Sequence, residues 1–239
     1  MHSEGRATGP ADALERVRDR IAAACARAER ALEEVTLVAV TKGHGAEEVE
    51  RRLLSRGQSV LAENRVQEWR EKHEALPSEV EWHLVGHLQR NKVKSCRTFA
   101  LIHSLDSLRL AQALEADGEK HEHVFRVLIQ VNVAGETAKY GVASAQVGEL
   151  YERIRELPHV EVLGLMTIAP YADDPERSRG VFRALRNLRD TLSLEALSMG
   201  MSGDYEVAVE EGATLVRVGS ALFADDAGPA RSEGGIVRP

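Results

Sequence analysis

Lys42 closes the run Val35-Thr36-Leu37-Val38-Ala39-Val40-Thr41 and is followed at once by Gly43-His44-Gly45. The run is short, apolar and β-branched, which predicts a buried parallel strand with the lysine at its carboxyl end. In sheets built from alternating strands and helices, ligands gather at that end, where loops vary on a rigid base. An amine placed there can add to a carbonyl and form a Schiff base. Taken alone, such a lysine is more often a surface charge or a member of an ion pair. Two further segments shift the balance: Ser198-Met199-Gly200-Met201-Ser202-Gly203 and Val218-Gly219-Ser220. Their small residues let backbone N–H groups approach an anion, and Ser202 is expected to cap the following helix and turn its positive end toward that anion. Any one of these glycines by itself reads as loop punctuation. Arg217 sits inside the apolar stretch Thr214-Leu215-Val216-Arg217-Val218. A buried guanidinium keeps its charge and must find an acceptor, in a ligand or in a structural ion pair.

These residues need elements to position them, and the chain alternates regularly. Leu14, Val17, Ile21, Cys25, Ala28 and Leu32 are spaced by three and four and predict a first helix with one apolar stripe. Strands are then expected at 35–41, 59–62, 81–85, 99–103, 124–133, 160–166, 196–199 and 214–218, with helical patterns between them. Val147, Leu150, Tyr151, Ile154 and Leu157 share one helix face, and Asp174-Pro175 opens the helix carrying Val181, Leu185, Leu188 and Leu192. Eight alternating units imply parallel pairing with right-handed crossovers, and point to one α/β domain, a (β/α)8 barrel of the TIM type with an extra N-terminal helix. An open doubly wound sheet is the alternative. The barrel is expected over 11–224, between loose tails at 1–10 and 225–239.

In a barrel, Lys42, Asn64, His83, Asn132, Met166, Ser198 and Arg217 converge on one mouth. A lysine for an aldehyde, with a phosphate cradle on the far side of the barrel, suggests pyridoxal 5′-phosphate (PLP). His83 and His87 superficially form an HxxxH pair, but the segment reads as strand and turn, which holds them about 13 Å apart, too far for one metal. His121 and His123 read as solvated, and Arg51, Arg52, Arg186 and Arg189 as outward helix faces. The net charge of −7 offers no basic field for nucleic acid or an anionic membrane. No stretch approaches the roughly 18 apolar residues of a membrane span, and the start lacks a signal-peptide core, so a cytoplasmic protein is expected. Cys25 and Cys96 have no metal or disulfide spacing and read as small helix residues.

Six ordered segments carry a resemblance. They are 38–42 (Val-Ala-Val-Thr-Lys), 63–68 (Glu-Asn-Arg-Val-Gln-Glu), 82–92 (Trp-His-Leu-Val-Gly-His-Leu-Gln-Arg-Asn-Lys), 164–166 (Gly-Leu-Met), 197–202 (Leu-Ser-Met-Gly-Met-Ser) and 216–220 (Val-Arg-Val-Gly-Ser). Together they closely resemble the pyridoxal phosphate homeostasis proteins, from the first helix to about Phe223. The resemblance implies a single fold-type III barrel, like the N-terminal domain of bacterial alanine racemase, with PLP held as a Schiff base on Lys42. It places Arg217 at the pyridine nitrogen, Ser198, Met199, Ser202, Gly219 and Ser220 around the phosphate, and Asn64 near the ring oxygen. His83 and Met166 would only line the pocket. Departures are Ala62 and Ala224, where the family usually has glycine, and the loop Gly43-His44-Gly45, which could loosen the wall beside Lys42 or bring His44 near it.

The function implied is binding, buffering and delivery of PLP in vitamin B6 homeostasis, by a monomer whose partners are PLP and apo-forms of PLP enzymes, without catalytic turnover. An arginine at the ring nitrogen keeps that nitrogen unprotonated and weakens the ring as an electron sink, although racemases work despite it. Alanine racemase adds a second domain, whose partner subunit supplies a catalytic tyrosine, and nothing after Phe223 resembles it. A small PLP-dependent amino-acid racemase is the alternative. A cofactor-free Schiff-base aldolase ranks last, because no carboxylate closes a strand beside Lys42.

Overall fold

A computed structural model describes residues 12–136 and 140–224; the expected tails fall outside them. Asp12 caps helix α1 (Ala13–Arg27), its carboxylate accepting from the Leu14 N–H at 3.2 Å. Leu14, Val17, Ile21 and Cys25 are buried, as their spacing predicts. Leu32 is exposed, because the helix ends at Arg27 and Glu29 turns the chain through φ 53° before a 3-10 turn at Leu32–Glu34.

The alternating elements follow. β1 (Thr36–Val40), α2 (Ala46–Arg52), β2 (Val60–Glu63), α3 (Val66–Ala75) and β3 (Glu81–Leu84) lead through a 3-10 turn at Arg90–Ser95 to β4 (Leu101–Leu105). Then come α4 (Leu108–His121), β5 (Phe125–Asn132), a two-residue β6 (Val142–Ala143), α5 (Val147–Ile154) and β7 (Val160–Met166). The chain continues with α6 (Arg179–Thr191), β8 (Ala196–Ser198), α7 (Tyr205–Glu210), β9 (Leu215–Val218) and α8 (Ser220–Phe223). Every pairing is parallel, β1 lies between β2 and β9, and β4 pairs with β5. That last pairing closes eight strands into a barrel, with β6 attached beside β5, and rules out the open sheet.

Strand periodicity sorts the side chains into two cores. Val38, Ala62, Leu101, Leu128, Met166 and Leu215 fill the barrel, with Val40 and Ala196 packed against them. Their neighbours Ala39, Leu61, Val127, Ile129, Leu165, Leu197, Val216 and Val218 face the helices. Each fully buried Val or Leu contributes roughly 1.5–3 kcal/mol. The fourth strand lies two residues later than expected, because Phe99 packs outside the barrel on Trp69, ring centroids 4.7 Å apart. His103 consequently sits in mid-strand.

One polar cluster interrupts the outer layer. Lys72 of α3 is buried against Glu63 at the end of β2, and its Nζ donates to the Thr41 carbonyl at 2.5 Å. The Thr41 hydroxyl also donates to Glu63, at 2.5 Å. A helix is thereby tied to the carboxyl ends of β1 and β2, immediately before Lys42. Removing one member of a buried ion pair leaves the other uncompensated, so Lys72→Met should lower unfolding free energy by about 3–5 kcal/mol. Urea denaturation checks this, and Lys72→Met combined with Glu63→Leu should recover most of the loss.

Candidate functional site

Lys42 lies two residues beyond Val40, continuing the inward row of Val38 and Val40 to the mouth of the barrel, where it is exposed. Register fixes its neighbours. Val40 pairs with Ala62, so Lys42 emerges beside Asn64, and Val38 pairs with Arg217, so the next inward residue of β9, Gly219, stands against Val40. The expectation that the cradle lies on the far side of the barrel is therefore wrong. The loops after β8 and β9 sit next to β1, because closure makes the last strand the neighbour of the first.

The cradle itself differs from expectation in one part. Ser202 does not cap α7: Asp204 occupies that position, and its carboxylate accepts from the Met201 N–H at 2.8 Å. The Ser202 hydroxyl oxygen instead accepts from the backbone N–H groups of Gly219 and Ala221, both at 3.3 Å. Two backbone amides thus converge on the Ser202 oxygen, between the loops after β8 and β9. Ser220, between the two amides, is exposed. Met199 points the other way, into the core between strands and helices, and its N–H donates to the Leu215 carbonyl at 3.1 Å, so the structure does not turn it toward a phosphate. Gly200 is required by its backbone, since φ is 89° and a methyl there would lie 2.5 Å from the Ala208 side chain.

Arg217 is buried inside the barrel, 4% exposed. Its Nη1 donates to Ser198 Oγ at 2.6 Å and its Nη2 to the Thr167 carbonyl at 2.9 Å. Both acceptors are neutral, and among the described residues no carboxylate bridges it. Burial pushes the guanidinium down to about 10, which leaves it charged at neutral pH. A buried cation with donors to spare suits a neutral acceptor such as a pyridine nitrogen, so the donor set fits PLP.

Asn64 is half-buried on the other flank of Lys42. Its carbonyl packs against Gly86, where a methyl would lie 2.0 Å from the oxygen; only glycine allows the two loops this approach. A cleft of about 710 Å³ opens here, lined by Asn64, Arg65, Gly86, His87, Lys92 and Tyr140 among others. Asn132 is occupied by its own loop, bonding the Glu136 carbonyl at 2.8 Å and the Glu136 N–H at 3.2 Å. Met166 and His83 lie within the barrel and not at its rim. His83 and His87 serve different neighbours, His103 at 3.0 Å and Asp106 at 3.1 Å, and among the described residues no group of three His, Cys, Asp or Glu is placed for a metal. The loop after Lys42 is pinned: the His44 ring stacks on Phe223 at 3.6 Å and meets Glu48 at 2.9 Å. His123, expected in solvent, is partly buried edge-on to Phe125, which lowers its basicity. Cys25 and Cys96 are both buried free thiols, and burial pushes Cys96 up to about 12.

The model of the alanine racemase N-terminal domain matches residues 14–227. The chain belongs to that family. Among its relatives, the pyridoxal phosphate homeostasis protein of Aquifex aeolicus is 48% identical over 220 residues, covering 89% of this chain and 96% of the relative. The protein of the same name from Escherichia coli K12 is 37% identical, covering 88% and 94%. PipY of Synechococcus elongatus PCC7942, solved with PLP bound, superposes with a TM-score of 0.75 at 33% identity, over 87% of this chain and all of PipY. Alanine racemase of Clostridium difficile, at 16% identity and a TM-score of 0.66, shares the fold; this chain covers 57% of it.

Within this family barrel, four residues escaped the sequence reading. Thr167 and Ala221 contribute backbone atoms only, which leave no mark in residue type. Lys72 reads as an ordinary helix lysine. His103, displaced by the misplaced strand boundary, lies in the barrel with Nδ1 2.8 Å from Ser198 Oγ and Nε2 3.0 Å from His83 Nδ1. Burial, followed by the charges of His83 and Arg217, holds His103 well below its usual 6.5. The unfolded chain takes up a proton there near pH 6.5 and the folded chain does not, so stability declines as pH falls below that value. Between pH 7.5 and 5.5 this group should remove about 1.4 kcal/mol. Denaturant unfolding at the two pH values checks it, and His103→Gln should flatten the dependence.

Proposed function

We propose that this chain binds PLP, holds it covalently on Lys42 and serves PLP homeostasis without turning over an amino acid. The observation that carries this reading is the convergence of three neighbouring strands, β8, β9 and β1, which bring Arg217, the Ser202 cradle and Lys42 to one wall of the mouth. The homeostasis relatives and the PLP-bound PipY, all above 30% identity, support it. Lys42 would hold PLP through its amine, whose nucleophilic nitrogen suits condensation with the cofactor's aldehyde and loss of water. Gly219, Ala221 and Ser202 would receive the phosphate, with Ser220 completing the loop, while Ser198 holds Arg217. Asn64 flanks the ring oxygen. PLP supplies an electron-withdrawing ring, which Arg217 moderates by keeping the pyridine nitrogen unprotonated.

The absence of turnover rests on proton geometry. Racemisation needs a second acid or base across from the lysine. Of the four tyrosines, Tyr151 packs against the core, Tyr205 lies beneath Arg20 and Tyr171 bonds Asp173, while the Tyr140 ring is stacked on His87 in the cleft on the Asn64 flank. His44 is held by Phe223 and Glu48. The proposal includes a cytoplasmic monomer that passes PLP to apo-enzymes. No described helix is long and apolar enough to cross a membrane.

Purified protein with PLP should show the absorption band of a C=N-linked cofactor, and Lys42→Ala should abolish it; an unchanged band would defeat the assignment. Ser220→Glu, which sets a carboxylate beside the phosphate amides, should weaken PLP retention by at least about tenfold through like-charge repulsion, measured by equilibrium dialysis. Incubation of the loaded protein with L-amino acids in deuterated water should give no sustained deuterium entry at Cα, and turnover would establish the racemase reading instead.

A further inference from the structure

A line of polar side chains runs through the barrel, away from the mouth. Arg217 Nη1 donates to Ser198 Oγ at 2.6 Å, and that oxygen lies 2.8 Å from His103 Nδ1. His103 Nε2 lies 3.0 Å from His83 Nδ1, and His83 Nε2 lies 2.9 Å from Glu81 Oε1. Ser198, His103 and His83 are buried, and Glu81, the first residue of β3, is 53% exposed in a cleft shared with Arg97, Arg126 and Glu161. Four strands, β9, β8, β4 and β3, contribute to it. The barrel's apolar residues, Val38, Ala62, Leu101, Leu128, Met166 and Leu215, form their own cluster beside this line.

The two ends of the line fix its direction. A guanidinium can only donate and a carboxylate can only accept. With Glu81 accepting, His83 carries its proton on Nε2 and offers Nδ1 as an acceptor. His103 then carries its proton on Nε2 and offers Nδ1 to the Ser198 hydroxyl. Ser198 gives its proton to His103 and keeps its lone pairs for Arg217. Every atom of the line is satisfied in this one arrangement with both rings neutral. In the opposite arrangement the Ser198 proton points back at Arg217 or finds no partner.

We propose that His103 and His83 are positioning residues for Arg217, a one-way hydrogen-bond line from Glu81 that keeps the Ser198 lone pairs on the guanidinium and so fixes the donor facing the cofactor ring. The line concerns this chain's own residues; its effect on the cofactor rests on the PLP-binding reading above.

The two parts are tested separately. In protein without PLP, 15N NMR of the histidine rings should show protonated Nε2 and bare Nδ1 at both His83 and His103 at neutral pH; a proton on either Nδ1 would overturn the line. Glu81→Gln replaces the acceptor-only end by an amide that can donate, at a half-exposed position, and should move protons to Nδ1 in a fraction of the molecules. Unchanged tautomers would show that Glu81 does not set the direction and would also overturn it. In protein with PLP, His103→Gln keeps a neutral acceptor and donor and should retain PLP like the parent. His103→Leu keeps neither, and should release PLP about tenfold faster, with a shifted absorption band. Equal retention and an unshifted band in folded His103→Leu, or in Glu81→Gln should His103→Leu fail to fold, would overturn the positioning role. Failure of the parent protein to bind PLP would sink the functional reading and leave the NMR result standing on its own.

Discussion

A guanidinium enclosed in a barrel, with no carboxylate ion-paired to it among the described residues, is the constraint to which the site answers. Arg217 is too buried to be hydrated and keeps its charge, so its N–H groups must be matched by neutral oxygens. β8 provides Ser198 and the turn after β7 provides the Thr167 carbonyl. Ser198 can serve only if its own proton goes elsewhere, which brings His103 and His83 inside a core that would otherwise be aliphatic. A carboxylate beside Arg217 would solve the local problem more cheaply. It would also occupy the donors that a ligand acceptor needs.

The other buried cation follows the opposite rule. Lys72 has its counter-charge in Glu63 and a backbone carbonyl in Thr41, and it spends itself wholly on structure. Its position matters because Thr41 immediately precedes Lys42. The strand end that presents the exposed amine is fixed from behind by α3, while Gly86 lets the β3 loop close against Asn64 on the flank. Rigid backing and a free side chain together suit a nucleophile that has to meet an incoming carbonyl in one orientation.

The fold was legible because alternation of apolar strands and amphipathic helices is written in residue type. Val38, Val40 and Lys42 could be placed on one row from spacing alone, and so could Ala196 and Ser198. What failed was contingent on boundaries and backbone. Phe99 looked like the start of a strand because an aromatic fits one; it packs on Trp69 instead, and the two-residue error concealed His103. Ser202 has the residue type of a helix cap, but the N-cap position of α7 falls two residues later, at Asp204, and the Ser202 hydroxyl is spent on the Gly219 and Ala221 amides. The cradle lies beside Lys42 and not across from it, because a closed barrel makes its last strand the neighbour of its first.

Ser202 carries a further consequence. Its hydroxyl oxygen already holds the Gly219 and Ala221 amides, so the loop has its own internal acceptor. Under the proposed PLP-binding reading, a phosphate oxygen would exchange one acceptor for another, and on its departure the hydroxyl would resume its place. Neither the filled nor the empty loop is left with bare amides. Such an exchange would be close to an even trade, narrowing the free-energy gap between the two states and leaving occupancy responsive to the ligand's concentration. A site built this way behaves as a reservoir tap that can be opened and shut without distorting the vessel.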